Sequence, residues 1–165
     1  TIRTFEPHSI YSMRLARSGE LLTHHKDRSV LTLMTLDAVI DKERPVLTPG
    51  MSLGQIVQLV SGSKSIHFAV CSPGNDLLGV INLNSLRKII FRSELYRLYK
   101  AEQLMQQPPA VLSTTQSMSA VMDTFQNTDA GTLPVVDKDK HFLGFVSKAR
   151  LYSSYRQIMK DFSEE

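Results

Sequence analysis

Residues 46–86 repeat themselves 65 positions later without a gap. Val46-Leu47 falls on Val111-Leu112, Ser52-Leu53 on Ser117-Met118, Ile56-Val57 on Val121-Met122 and Val60 on Phe125. Phe68-Ala69-Val70 falls on Leu133-Pro134-Val135, the run Leu77 to Ile81 on Phe142 to Val146, and Leu86 on Leu151. Identities are few, but apolar positions meet apolar positions and Gly79 meets Gly144. A period of this kind constrains the fold more than any local signal, because each copy must be one structural unit. Two facing copies suggest a regulatory or assembly module before an enzyme.

The chain has 165 residues, so each copy is near 60 residues, where an isolated domain is marginal, and the copies are expected to share an interface. Its 42% hydrophobic and 21% charged content is that of a globular protein. A net charge of +3 with no long basic stripe argues against nucleic acid as a partner. The single cysteine, Cys71, excludes an internal disulfide, and its apolar neighbours Phe68-Ala69-Val70 mark it as a buried small residue. No run of about 18 apolar residues and no signal peptide is visible. The first residues, Thr1-Ile2-Arg3, lack an initiator methionine and suggest a piece of a longer protein.

Each copy reads β-α-β-β-α. A short strand (Val46-Leu47; Val111-Leu112) precedes a helix headed by Ser52 or Ser117, where a hydroxyl can cap the first turn. Helical spacing follows at Leu53, Ile56-Val57 and Val60, and at Met118, Val121-Met122 and Phe125. Two apolar strands, Phe68 to Cys71 with Leu77 to Leu83 and Leu133 to Val136 with Phe142 to Val146, flank tight polar turns, as in a hairpin. Closing helices are expected from Asn84 and Lys148. Further helices are expected from Ser29 through Ile40, from Phe91 to Met105 before Pro108-Pro109, and from Tyr152 to Phe162. Residues 1–29 do not repeat and read as a lead-in arm, with the copies assigned to 30–92 and 93–165.

Leu133-Pro134-Val135-Val136-Asp137 followed by Leu143-Gly144-Phe145-Val146-Ser147 resembles the central hairpin of the CBS-domain family, named after cystathionine β-synthase. The resemblance covers about residues 34–160. It implies an α/β (α+β) fold of two β-α-β-β-α repeats packed with pseudo-twofold symmetry, with two clefts between them and a helical arm in front. A second resemblance is carried by Ile10-Tyr11-Ser12-Met13, Gly19 to His24, Asp27 and Val30 to Met34. With Phe91 to Tyr96, Phe145 to Lys148 and Asp161 to Glu164, these are similar to the cytoplasmic tails of bacterial ClC chloride channels and chloride/proton antiporters. That likeness implies a regulatory and dimerisation module on the cytoplasmic face of the inner membrane. Its implied partners are the membrane-embedded transport domain of the same polypeptide and a second copy bound through CBS helices.

CBS pairs of the kind resembled bind ATP, ADP or AMP in a cleft, through a Gly-h-x-Ser/Thr-x-x-Asp stretch after the hairpin. Here Gly144-Phe145-Val146-Ser147-Lys148-Ala149-Arg150 keeps the serine but has arginine in place of aspartate. The first copy, Gly79 to Ser85, has Asn82 and Ser85 at those positions. An aspartate accepts two hydrogen bonds from a ribose diol, whereas arginine only donates, so the ribose grip is lost in both copies. Arg150 can instead meet a phosphate, with Ser147 beside it. If a ligand binds, matching positions implicate Thr48, Ser65, Ile66, Ser147 and Arg150; otherwise Arg150 is a solvated or interface arginine and Ser147 caps its helix, and an adenine nucleotide sensor in another CBS protein is the alternative function.

No catalytic residue, resident cofactor or metal site is expected. His24-His25 lacks a completed coordination shell, and His8, His67 and His141 stand alone in the sequence. Asp37, Asp41 and Glu43 read as a solvated acidic cluster. No nucleophile elbow, P-loop or dinucleotide fingerprint is present, so an enzyme is not expected. The methionines Met34, Met51, Met105, Met118 and Met122 read as core, and the apolar faces Val30–Ile40 and Leu95–Met105 as interface candidates.

Overall fold

The computed structural model describes residues 31 and 33–163. Leu36–Leu151 forms one compact unit; a second takes in the described residues before Leu36 and those from Tyr152 onward. The lead-in arm at 1–29 lies outside the described residues.

The 65-residue register holds through the capped helix and the hairpin of each repeat. The first repeat contains α1 (Leu53–Val60) and the hairpin β1 (His67–Cys71) and β2 (Leu77–Asn82). A short α2 (Ala101–Leu104) follows. The second contains β3 (Leu112–Ser113), α3 (Met118–Thr128), β4 (Thr132–Val136), β5 (Phe142–Ser147) and α4 (Lys148–Ser163). In the hairpins, His67 pairs with Asn82 and Val70 with Gly79, and at equivalent places Thr132 pairs with Ser147 and Val135 with Gly144. Leu47 bridges Val70 in parallel, as Leu112 pairs with Val135. Asn75 and Lys140, the equivalent turn residues, both take positive φ, 67° and 66°.

Packing repeats too. Leu47, Leu53, Ile56, Val60, Phe68, Val70, Ile81 and Leu86 form the core of the first repeat. Their equivalents Leu112, Met118, Val121, Phe125, Leu133, Val135, Val146 and Leu151 are all buried in the second. The strands read as continuous apolar runs because both faces are covered. One face of the first hairpin meets its own helix, and the other carries Ala69 and Cys71 into a cluster with Phe142 and Phe145 of the second. Those two rings meet edge to face, 5.4 Å between centroids. Asp76 and His141 are equivalent positions and bridge each other, which places a pseudo-twofold relation between the repeats.

The segment leading into each repeat completes the sheet of the other. Asp41 exchanges backbone hydrogen bonds with Phe145 of β5 (2.7 and 3.0 Å), and the equivalent Gln106 does so with Val80 of β2 (2.8 and 2.9 Å). The repeated glycines permit this crossing. A Cβ at Gly79 would lie 3.1 Å from the Gln106 carbonyl oxygen, and one at Gly144 would collide with the Asp41 carbonyl and the Ile40 side chain.

The helix caps form as expected. Ser52 accepts from Gln55 N–H while the Gln55 side chain accepts from Ser52 N–H, and Ser117 accepts from Ala120 N–H. Three expected helices differ. Phe91 to Met105 is broken into a 3-10 turn, Ser93–Leu95, and α2. Its Tyr99 and Tyr96 carbonyls accept instead from Leu53 and Gly54 N–H, the free donors at the start of α1. The helix expected from Asn84 is one 3-10 turn, Leu83–Leu86, where the Ser85 hydroxyl donates to the Asn82 carbonyl and competes with helical bonding. In the stretch from Ser29, Leu31 and Leu33 are helical, but the chain ends as a 3-10 turn, Leu36–Val39, because it must be extended by Asp41 to pair with β5. The expected helix over Tyr152 to Phe162 is present within α4. Among the described residues no helix is long and apolar enough to cross a membrane.

Candidate functional site

The exchanged leads bring polar side chains to two clefts related by the pseudo-twofold. In the first, Asp41 leaves the lead half-buried, and Arg44, three residues on, reaches back to it with Nε 2.8 Å from Oδ2. The same guanidinium donates to the His67 carbonyl at 3.0 Å and stands 4.8 Å from the centroid of the Phe145 ring. Arg44 therefore joins the His67 end of β1 to the β5 strand of the opposite repeat. Burial works to raise the Asp41 pKa, but the Arg44 hydrogen bond, the Glu43 N–H and the charges of Arg44 and Arg150 outweigh it and hold the carboxyl below its ordinary value.

Of the five sequence-derived ligand residues, the structure joins Ser147 and Arg150 by a hydrogen bond and sets Ser65 and Ile66 beside His67. Ser65 and Ile66 precede β1 directly, next to the His67 carbonyl that holds Arg44. Ser147 ends β5, two residues beyond the Asp41 pairing, and its hydroxyl accepts from Arg150 N–H at 3.1 Å, capping α4. The Arg150 guanidinium is exposed and makes no hydrogen bond or ion pair among the described residues, yet its charge is felt at Asp41. Thr48 is exposed, and its side chain makes no hydrogen bond to the other four among the described residues. Asp41, read from sequence as solvated, is a structural and electrostatic partner of the cleft. Arg44 was not singled out by any motif; its signal lay in the register, which sets it against Pro109 of the other copy.

The second cleft holds a cavity of about 190 Å³. Val80, Pro134, Phe145, Pro108 and Pro109 give it apolar lining. Its polar groups come from His67, Asn82, Gln106, Gln107 and Thr132, and the Ala130-Gly131 backbone closes it. Gln106 and Pro109 stand where the first cleft has Asp41 and Arg44. Burial, then the Arg44 charge, lowers the His67 pKa and favours its neutral form.

Asp137, Asp139 and His141 form a third cluster, with ligand-type atoms within 4.8 Å of one another. Their bonding is that of the hairpin turn: Asp137 Oδ1 accepts from the N–H groups of Asp139 and His141. Cys71 is buried, and burial followed by the Asp76 charge pushes its pKa up to about 11.

Residues 101–156 match the model of the CBS domain family. This stretch is a CBS domain. It covers α2, the strands and helix of the second repeat, and the first half of α4. Solved structures carry the same fold across most of the chain. A CBS-domain protein from Streptococcus pneumoniae TIGR4 superposes with a TM-score of 0.69 at 16% identity, covering 85% of this chain and 98% of its own. CbpB in complex with c-di-AMP gives 0.68 at 13% identity, covering 85% and 96%. The CBS domain of a bacterial CNNM/CorC-family Mg2+ transporter in complex with ATP gives 0.67 at 12% identity, covering 85% and 97%. No curated protein matches the chain. At these identities the likeness establishes the CBS fold, including for the first repeat, which the family model does not reach.

Proposed function

We propose that this chain is a non-catalytic regulatory module whose first inter-repeat cleft binds an adenine nucleotide. The observation that carries this reading is the 2.8 Å ion pair between Arg44 and Asp41, close enough to the exposed Arg150 for its charge to act on Asp41. With Arg44 paired to Asp41, the charge of Arg150 is left for a phosphate, and arginine forks match phosphate oxygens. The CBS-fold structures solved with c-di-AMP and with ATP support the ligand class. A phosphate entering here competes with Asp41 for Arg44. Thr48, Ser65 and Ile66 would line the nucleoside end, and Ser147 and Arg150 the phosphate end. Because Arg44 ties the two repeats together, displacing it gives a ligand unequal affinity for two states of the module, as regulation requires.

The parent protein is a further part of the proposal. The resemblance of residues 10–34 and 91–96 to ClC tails supports a chloride channel or chloride/proton antiporter, with this module on the cytoplasmic face and a membrane transport domain in the same polypeptide. The reading extends to a homodimer, supported by apolar surface at Phe91 and Leu98, which are 89% and 66% exposed. A series of apolar helices encoded ahead of Thr1 is expected; an enzyme domain there refutes the transporter parent and leaves the nucleotide sensor.

Calorimetric titration with ATP, ADP and AMP tests the cleft. Saturable heat that Arg150→Ala weakens at least tenfold is expected. No heat at millimolar nucleotide, or heat indifferent to Arg150→Ala, overturns the site.

A further inference from the structure

We infer that the surface formed by residues 84–100 docks on an anionic lipid bilayer, with Phe91 entering the headgroup boundary and the surrounding cations meeting lipid phosphates. This goes beyond the proposed function: it uses no cleft residue and stands whether or not the parent is a transporter.

The segment is two-sided. Leu86 belongs to the core of the first repeat, and Ile89, Leu95 and Tyr96 pack against that core. The backbone between them is tied at each turn, since the Leu86 carbonyl accepts from the Ile89 and Ile90 N–H groups and the Ile89 carbonyl from Arg92 N–H. The Tyr96 hydroxyl donates to the Ile90 carbonyl at 2.6 Å, which joins the two ends of the stretch that carries Phe91. With those residues turned inward, Phe91 and Leu98 are left outside, 89% and 66% exposed.

Charge selects the occupant of this face. Residues 84–100 hold five cations, Arg87, Lys88, Arg92, Arg97 and Lys100, all exposed, and one carboxylate, Glu94. Glu94 is taken up by Arg92 at 2.8 Å, and the other four cations make no ion pair among the described residues. The segment is net +4 in a chain of net +3, so the remaining residues together are slightly negative. The same positions of the second repeat, 149–165, hold three cations and three acidic side chains, so the repeat itself does not require the charge. Cations interleaved with exposed Phe and Leu are the chemistry of an interfacial anchor, in which ring and aliphatic stems enter the headgroup boundary while the charged heads stay among the phosphates. Anionic leaflets attract such a surface at short range. A second copy fits the same residues less well. A twofold contact here would set five cations against five, so the homodimer proposed above is better met by another face.

The chain has no tryptophan, so Phe91→Trp places a single indole on this surface. Its emission should shift to the blue with vesicles of phosphatidylglycerol and phosphatidylcholine in equal parts, and not with phosphatidylcholine alone. In co-sedimentation the whole chain should bind the anionic vesicles about tenfold or more tighter than the neutral ones, and raised salt should weaken the binding. Arg87→Glu combined with Lys88→Glu should weaken it by about tenfold or more, and Phe91→Ser should weaken it measurably. These side chains are exposed, so urea denaturation of the variants should match wild type. Arg150→Ala should leave vesicle binding unchanged and Phe91→Ser should leave ATP heat unchanged, which separates failure here from failure of the nucleotide cleft. No blue shift and no sedimentation with anionic vesicles overturns the inference. So does binding that heparin matches and Phe91→Ser does not alter, which is charge alone. Self-association abolished by Phe91→Ser, without vesicle binding, gives the face to a second copy and overturns it as well.

Discussion

Gly144→Ala should be among the most damaging small substitutions in this chain. The added methyl would collide with the Asp41 carbonyl and the Ile40 side chain, and a backbone oxygen cannot rotate away as a side chain can. The lead at Ile40-Asp41 must retreat, weakening the two hydrogen bonds between Asp41 and Phe145, 2.7 and 3.0 Å long. Those bonds contribute ~0.5–1.5 kcal/mol each, and overpacking adds ~1–3 kcal/mol. The sum is roughly 2–6 kcal/mol, which for a chain of this size lowers Tm by about 4–24 °C. Gly79→Ala is the internal control. Its methyl would meet Met105 Cγ and Sδ at 3.0 Å, the flexible end of a side chain, before the Gln106 carbonyl at 3.1 Å. Methionine can move, so the cost there should be about half or less. Urea denaturation of both variants decides the matter. Equal stability of Gly144→Ala and wild type, or a larger loss at Gly79, would refute the argument that the crossing leads hold the repeats together.

Other expectations follow from single groups. With its pKa pushed up to about 11, Cys71 should resist alkylation by iodoacetamide at pH 8 in the native protein and react readily in urea; rapid native labelling would contradict its burial. His67 has a folded pKa below its ordinary 6.5, so the unfolded chain takes up the proton first. Stability from this group is therefore complete above pH 6.5 and falls as pH drops through the window below it, and His67→Gln should flatten that part of a pH series of denaturation curves. Asp41 has a folded pKa below 3.8, so its contribution is present above that value and is lost as pH falls through the folded pKa; Asp41→Asn should remove this acid-side loss. Ser117→Ala removes the cap on α3 and should cost ~0.5–2 kcal/mol by urea denaturation.

The duplication made most of the fold legible. A period of 65 fixed which residues share a core, and eight of the nine buried residues in the first repeat's cluster, all but Ala101, have buried equivalents in the second. Caps at Ser52 and Ser117 were equally visible, because their bonds are local. Phe91 to Met105 misled because its apolar spacing suits a helix, while its carbonyls serve the start of α1, a contact between residues more than 40 positions apart. The sequence placed Ser147 and Arg150 through a motif with one letter changed, but it gave no sign that Arg44 would lie over Phe145. That contact depends on the lead of the first repeat crossing to the sheet of the second, which periodicity does not encode. The second cleft was hidden for the same reason: its residues come from two strands, a proline-rich lead and a loop, and none forms a motif alone.

The most direct test of the proposed nucleotide site is a map of backbone amide shifts during titration with ATP. Shifts concentrated at Asp41–Arg44, Ser65–His67 and Phe145–Arg150, and lost in Arg150→Ala, are predicted. Shifts confined to the hairpin turn at Asp137–His141, or none at millimolar ATP, would contradict a nucleotide-reading cleft built around Asp41, Arg44 and Arg150.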